Sequence, residues 1–354
     1  MFKQSYQVIG VMSGTSLDGI DLAHILLSIK EGKWQYEILE CETVIYSIDW
    51  LNKLKLAVGF SVVELKQLNK DYTKLLAAVI ESFIAKNKIT NLDAVCSHGH
   101  TILHEPQHGF TLQIGNLPEI ASVIDQTIVC DFRVQDVELG GQGAPLVPIG
   151  DRLLFSDFDY CLNLGGFSNI SFEQNGSRIA FDITPVNTVL NFYANQLGLE
   201  YDDKGSVSKS GMLNKDLLHK LNALDYYKKP FPKSLGIEYV NEIVLPTITQ
   251  FDIPIKDKMR TFIEHIAIQT ALALPDKRKK LLVTGGGAYN IYLIERLEFH
   301  SPQLKIIIPN KKTIEYKEAL IFAFLGVLRL RNEINVLSSV TGAKKDHSSG
   351  VILN

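Results

Sequence analysis

One order of segments occurs twice in this chain: strand, glycine-rich turn, strand, strand. It appears near residues 8–45 and again near 160–182. Val8–Met12 and Ile20–Ile29 flank the turn SGTSLDG, and Tyr36–Ile45 follows. Tyr160–Leu164 and Ile170–Glu173 flank GGFSN, and Ile179–Asp182 follows an Asn175-Gly176 turn. Strands joined this closely must be antiparallel, because a parallel neighbour needs a long crossover. Crossover patterns come next in each half. Helical spacing runs from about Leu51 to Lys86 with a break near Gly59, before short apolar runs at Ala94–Ser97, Phe110–Ile114 and Ile128–Cys130. In the second half, helical patterns at Thr188–Leu197, Asn241–Thr249 and Lys258–Leu274 precede a strand at Lys280–Thr284. A helix at Ile291–Glu298, a strand at Leu304–Ile308 and a helix at Glu315–Arg331 close the pattern, and the tail from Asn332 reads as loop. The expectation is an α/β chain of two sheets with flanking helices. The two turns then face each other across an interdomain cleft, where small ligands usually bind.

Composition narrows the function. The 354 residues are 46% hydrophobic and carry a net charge of −3, with no Lys/Arg-rich run, which argues against nucleic acid. Backbone amides in glycine-rich turns can still bind anions. The four cysteines, Cys41, Cys96, Cys130 and Cys161, are far apart and read as free thiols of a reducing compartment. The first residues lack the apolar core of a signal peptide, and no window of about 18 apolar residues suggests a membrane span. A cytoplasmic protein is expected.

The motifs point to a nucleotide. Gly14 and Gly19 have the spacing of a phosphate-binding P-loop, but Ile20-Asp21 replaces Lys-Ser and a strand follows. SGTSLDG is therefore either an elaborate turn or a hairpin holding a phosphate, with Asp18 near Mg²⁺. Gly165 and Gly166 allow close backbone approach, with Ser168 and Asn169 as donors. Gly285, Gly286 and Gly287 end a strand before a helix, where α/β sheets bind nucleotides, and a mononucleotide suits them better than a dinucleotide. Asp182 ends an apolar strand and is placed to act as a general base, since Asn187 is the better cap for the following helix. His98, His100 and His104 read as polar contacts to a sugar or internal bonds rather than as metal ligands. Arg133 can fork onto a carboxylate, or pair with Asp131 or Asp136.

Taken in order, GVMSGTSLDGIDLA, SHG-T, TLQIGN, DFR-QDV-LGGQGAPLVP, NLGGFSNI, PKSLGIEYVN, TGGGAYN and VTGAKK resemble the anhydro-N-acetylmuramic acid kinase family along nearly the whole chain. The resemblance implies the two-domain fold of sugar kinases, Hsp70 and actin, a duplicated ribonuclease H-like fold. Residues 1–130 with about 335–354 would form the first domain, and 131–334 the second. It implies an enzyme that uses ATP, Mg²⁺ and water to open 1,6-anhydro-N-acetylmuramic acid, giving N-acetylmuramic acid 6-phosphate in cell-wall recycling. Asp182 would take a proton from the attacking water. Gly14, Thr15, Ser16, Asp18 and Gly19 would form one phosphate hairpin, with Asp18 toward the metal, and Gly165, Gly166 and Ser168 the other. Gly285, Gly286 and Gly287 would hold the nucleoside. Thr101, Arg133 and Glu318 would face the sugar, with Arg133 meeting its lactyl carboxylate. A homodimer and domain closure are implied as well. Four positions depart from the family's pattern. DTGPGN becomes DITPVN, so Thr184 and Val186 replace glycines; His100 replaces Gln and Leu103 replaces Arg. The alternatives are a non-catalytic ATP-dependent sugar sensor and a simple amino-sugar kinase on the same scaffold.

Overall fold

The computed structural model describes residues 2–14 and 16–354. Its strands are β1 (Ser5–Ser13), β2 (Ile20–Lys30), β3 (Lys33–Val44), β4 (Ala94–Glu105), β5 (Phe110–Ile114), β6 (Ile128–Cys130), β7 (Tyr160–Leu164), β8 (Phe167–Gln174), β9 (Ser177–Pro185), β10 (Lys280–Thr284), β11 (Lys305–Ile307) and β12 (Val351–Leu353). One sheet has the order β12-β6-β4-β1-β2-β3 with β5 on β4, and the other the order β11-β10-β7-β8-β9. From its meander outward, the second sheet runs third, second, first, fourth, fifth; the first runs third, second, first, fourth, then β6 in the fifth place, with β5 hairpinned onto β4 and β12 beyond. The second strand is antiparallel to the first, and the fourth is parallel to it. That repeated order is the duplicated ribonuclease H-like arrangement.

The chain divides into a unit of Met1–Leu154 with Tyr316–Asn354 and a unit of Phe155–Glu315. The boundaries thus follow 154 and 315, where the sequence reading set them at 130 and 334. Two contacts explain the shift. Buried Lys317 and Asp151 form an ion pair at 2.7 Å, and Thr341 Oγ1 donates to Asp136 Oδ1 at 2.7 Å. Both tie the segment after 130 to the chain after 316.

In the first unit, helix Val62–Lys86 starts with a capping box between Ser61 and Glu64. It lays Tyr72, Leu76, Ile80 and Phe83 on Ile9, Val11, Leu22 and Val95 of the sheet. Helix Lys311–Leu330 comes so close to the sheet that a Cβ at Gly10 would lie 2.0 Å from the Ala319 carbonyl oxygen. Glycine is the residue that admits this approach. In the second unit, Phe262, Ile263 and Ile266 of helix Ile255–Ala273 join Leu162, Leu164, Ile170 and Val283 in one core. The tail differs from the loop expected of it. Ser338–Thr341 is a short helix, and β12 adds antiparallel to β6 with Val351 opposite Cys130.

Candidate active site

Each glycine-rich turn lies where a first strand hands over to a second. In the first unit the amide of Leu17 donates to the Gly14 carbonyl at 3.2 Å, and Leu17 takes a left-handed φ of 63°. Gly19 lies against β3, where a Cβ would come within 2.7 Å of the Val44 carbonyl oxygen. Ser16 and Asp18 are exposed and have no protein partner among the described residues. Thr15, the remaining member of this hairpin in the sequence reading, lies outside the described residues. Beneath the turn, Ser13 Oγ sits 2.8 Å from His100 Nδ1 and 2.6 Å from the Tyr46 hydroxyl, which in turn meets Tyr72 at 2.6 Å. His100 therefore belongs to a buried hydrogen-bond chain, and burial pulls its pKa down to about 4.

The expected sugar-side residues share this unit. The Arg133 guanidinium donates from Nε to His98 Nε2 at 2.8 Å and from Nη1 to the Gly143 carbonyl at 2.6 Å. Neither expected partner, Asp131 or Asp136, receives one of these bonds. Burial pulls Arg133 down to about 10, against the pull of Glu318 and Asp136, so it stays cationic at neutral pH. Glu318 is lifted above the usual carboxylate range, chiefly by loss of water around it; Arg133 opposes this and Asp21 adds to it. Arg133 and Glu318 thus feel one another. The Thr101 hydroxyl instead accepts from Gln113 Nε2 at 3.2 Å.

What holds Arg133 in place was not singled out from sequence. Gly143 N donates to Asp136 Oδ2 at 2.7 Å, and Ser349 Oγ donates to the Phe132 carbonyl at 2.7 Å. The signal was there in DFR-QDV-LGGQGAPLVP and the near-terminal VTGAKK, which are far apart in sequence and adjacent in the fold.

In the second unit Asp182 is half-buried on β9, opposite Asn169. It is gripped by residues 226–235. Its amide donates to the Lys233 carbonyl at 3.1 Å, its carbonyl accepts from the Tyr226 hydroxyl at 2.6 Å, and Oδ2 accepts from the Leu235 amide at 2.8 Å. Oδ1 has no protein partner among the described residues. Burial lifts Asp182 above the usual carboxylate range, and the Leu235 amide tempers that. A carboxylate with a raised pKa can accept a proton, and Asp182 does not cap the following helix, which starts at Asn187. Asn187 is not the cap either: the helix begins at Asn187 with Val186 before it, and the Asn187 amide group donates to the Leu164 carbonyl at 3.3 Å.

The GGFSN turn is anchored to that helix. The Gly165 and Gly166 carbonyls accept from the Asn187 and Val186 amides at 3.2 and 2.8 Å. Gly166 is exposed, but Ser168 is fully buried. The Ser168 hydroxyl donates to the Thr184 carbonyl at 3.0 Å and accepts from the Thr184 amide at 3.2 Å. Its side chain is engaged with the backbone of the neighbouring strand.

The two residues standing at expected glycine positions point inward. Val186 is fully buried at φ −129°, a backbone any residue adopts, and the Thr184 hydroxyl lies 2.9 Å from that of Tyr227.

The third glycine run caps β10. At Gly285, φ is 81° and a Cβ would lie 2.5 Å from Asn163 Oδ1; at Gly287 it would meet Leu164 Cβ at 2.7 Å. At Gly286 the nearest atom is Asn187 Nδ2 at 3.6 Å, and the residue is exposed. Gly285 and Gly287 therefore seat the loop on β7, while Gly286 offers bare backbone. Asn290 caps the next helix, accepting from the Leu293 amide at 2.9 Å. Among the described residues, no helix is long and apolar enough to cross a membrane.

Comparison with known proteins agrees with this picture. The family model for anhydro-N-acetylmuramic acid kinase matches residues 6–354. The anhydro-N-acetylmuramic acid kinase of Saccharophagus degradans is 34% identical over 97% of this chain and 98% of its own length. That of Mannheimia succiniciproducens is 35% identical over 99% of both. Among solved structures, the activator of the 2-hydroxyisocaproyl-CoA dehydratase from Clostridium difficile superposes with a TM-score of 0.45 at 11% identity, covering 90% of this chain and 94% of that one.

Proposed function

The chain belongs to the anhydro-N-acetylmuramic acid kinase family, and from that membership we propose that it uses ATP to open and phosphorylate 1,6-anhydro-N-acetylmuramic acid. The observation that carries the chemistry is Asp182, held through its amide, its carbonyl and Oδ2 while Oδ1 stays unbonded among the described residues. Oδ1 accepts a proton from a water that attacks carbon one of the sugar. The bond from carbon one to the bridging oxygen breaks. That oxygen, now on carbon six, takes the γ-phosphoryl group, and ADP leaves. Atoms balance with water and ATP as the co-reactants. Phosphoryl transfer of this kind relies on positioning and charge neutralisation.

The remaining roles are those the family membership suggests, and exposure and charge support several of them. The Gly14–Gly19 hairpin holds phosphate oxygens. Gly165 and Gly166 form the second phosphate turn by backbone alone, with Ser168 as its internal brace. Gly285 and Gly287 shape the nucleoside loop, and Gly286 meets the nucleoside. Arg133 receives the lactyl carboxylate, with Glu318 and Thr101 beside the sugar. Asp18 fits Mg²⁺: it offers one exposed carboxylate with no protein partner among the described residues, and Mg²⁺ favours few carboxylates completed by phosphate and water. When bound, that ion neutralises charge on the phosphate oxygens. A cytoplasmic setting and a homodimer accompany this reading.

The test is mass spectrometry of the sugar after incubation with ATP, Mg²⁺ and 1,6-anhydro-N-acetylmuramic acid in ¹⁸O water. One heavy oxygen at carbon one together with a phosphate at carbon six is the expected product. Phosphorylation without the heavy oxygen, or no product at all, overturns the reading.

A further inference from the structure

Behind Asp182 lies a buried polar relay whose proton order can be worked out. His265 is fully buried, and its Nδ1 lies 2.7 Å from Asn222 Oδ1, which also accepts from Gln269 Nε2 at 2.9 Å. An oxygen that accepts from an amide is an acceptor here too, so Nδ1 carries the hydrogen. Burial drives the His265 pKa down to about 3, so the ring is neutral and Nε2 is an acceptor. The Tyr227 hydroxyl, 2.8 Å from Nε2, therefore donates to it. Tyr227 is then free to accept, and Thr184 donates to it at 2.9 Å. The order is Thr184 to Tyr227 to His265 to Asn222, with every member satisfied. Thr184 is also clamped through its backbone to Ser168. Tyr227 is the chain neighbour of Tyr226, whose hydroxyl holds the Asp182 carbonyl at 2.6 Å, and their rings meet edge to face at 5.6 Å.

We propose that the Thr184–Tyr227–His265 relay positions Asp182: it locks residues 226–235 in place, and these fix the carboxylate so that Oδ1 alone meets the attacking water. This rests on Asp182 being the general base. A threonine at position 184 then strengthens the site, because its hydroxyl supplies the first donor of the relay. The titratable groups facing this region are Tyr226 on the short helix Asp225–Lys228, with Tyr239 behind it, and Lys233, whose ammonium lies 4.6 Å over the Tyr226 ring.

The experiment measures kcat, KM for each substrate and the pH dependence of kcat/KM for Tyr227→Phe, Thr184→Val and Thr184→Ser, with Asp182→Asn in the same assay. Tyr227→Phe is expected to lower kcat by about ten- to a hundredfold, the scale of a misplaced catalytic group. KM for ATP should hold. The acid limb should move to lower pH, because a loosened strap lets water reach the carboxyl. Thr184→Val should follow in smaller measure, and Thr184→Ser, which keeps the hydroxyl, should match the parent. A folded Tyr227→Phe enzyme with unchanged kcat and pH profile overturns the proposal and leaves the relay a fold-stabilising feature. If Tyr227→Phe does not fold, Thr184→Val against Thr184→Ser decides: equal kcat and pH profiles overturn it. Asp182→Asn separates the two readings. Full activity there removes the general base itself, whereas its loss beside an unaffected Tyr227→Phe removes only the relay.

Discussion

The backbone amide of Leu235 donates to Oδ2 of Asp182 at 2.8 Å, across 53 positions of sequence. One bond therefore fixes which oxygen of the carboxylate is engaged and which has no protein partner among the described residues. The same burial that lifts the Asp182 pKa makes it a stronger base and a less stable anion.

Asp182→Asn should lower turnover by about 10²–10⁴-fold, the usual contribution of a positioned general base. The sign for stability is opposite. A folded-state pKa raised above the unfolded one means that the ionised group costs stability at neutral pH, and that this cost vanishes as pH falls through the raised value. Asn keeps an oxygen for the Leu235 amide and has no charge to bury. Thermal unfolding should show a higher Tm for Asp182→Asn at pH 7 and no difference below the titration of Asp182.

Arg133→Gln should raise KM for 1,6-anhydro-N-acetylmuramic acid more than tenfold and leave KM for ATP unchanged. It should also narrow the preference over the 1,6-anhydro sugar of glucosamine, which lacks the lactyl carboxylate. Steady-state kinetics with both sugars checks this. Equal discrimination by parent and variant would place the carboxylate elsewhere.

Gly285→Ala and Gly286→Ala should behave differently. At Gly285 the φ of 81° and an atom 2.5 Å from the new Cβ demand a shift of backbone, so folding and ATP binding should both suffer. At Gly286 the nearest atom is 3.6 Å away, so Tm should hold. If Gly286 meets the nucleoside, ATP titration calorimetry should show weaker binding by that variant despite its intact fold.

Glu264 joins helices Ile255–Ala273 and Ile291–His300, accepting from Arg260, from Arg296 twice and from His300, all at 2.7–2.8 Å. Burial pushes its pKa up, but Arg296, Arg260 and His300 outweigh burial and hold it down at about 2. Its contribution is thus present above the unfolded value near 4.5 and lost as pH falls through about 2. Glu264→Gln should cost about 3–5 kcal/mol by stranding two arginines, and should flatten the acid dependence of urea unfolding between those pH values.

Much of the architecture was legible. Both meanders, and the strands at Phe110–Ile114, Ile128–Cys130, Tyr160–Leu164 and Lys280–Thr284, lie where apolar runs bounded by turn residues put them. The tail was not legible, because VILN is too short to distinguish strand from loop without knowing that β6 is beside it. The strand that carries Asp182 was legible, but it runs on to Pro185, so Asp182 lies within it and not at the end where the sequence placed it. The grip on Asp182 was not legible, since the Leu235 and Tyr226 contacts reach across an irregular segment that no periodicity describes. Ser168 shows the limit of motif reading: a hydroxyl in a glycine-rich turn suggests a ligand donor, yet this one is buried and bonds the backbone of Thr184. Asn187 suggested a cap by residue type alone, and a one-residue shift in the helix start gave its side chain another task.

The first unit is built from two stretches, Met1–Leu154 and Tyr316–Asn354, whereas the second is one continuous run. During synthesis, Phe155–Glu315 can therefore leave the ribosome complete while the earlier sheet still lacks the helix that covers one of its faces and the strand that pairs with β6. Folding order and chain order are thus opposed. The half-made first sheet, with Gly10 uncovered and β6 paired only on its β4 side, is the stage at which a nascent chain has most need of a chaperone.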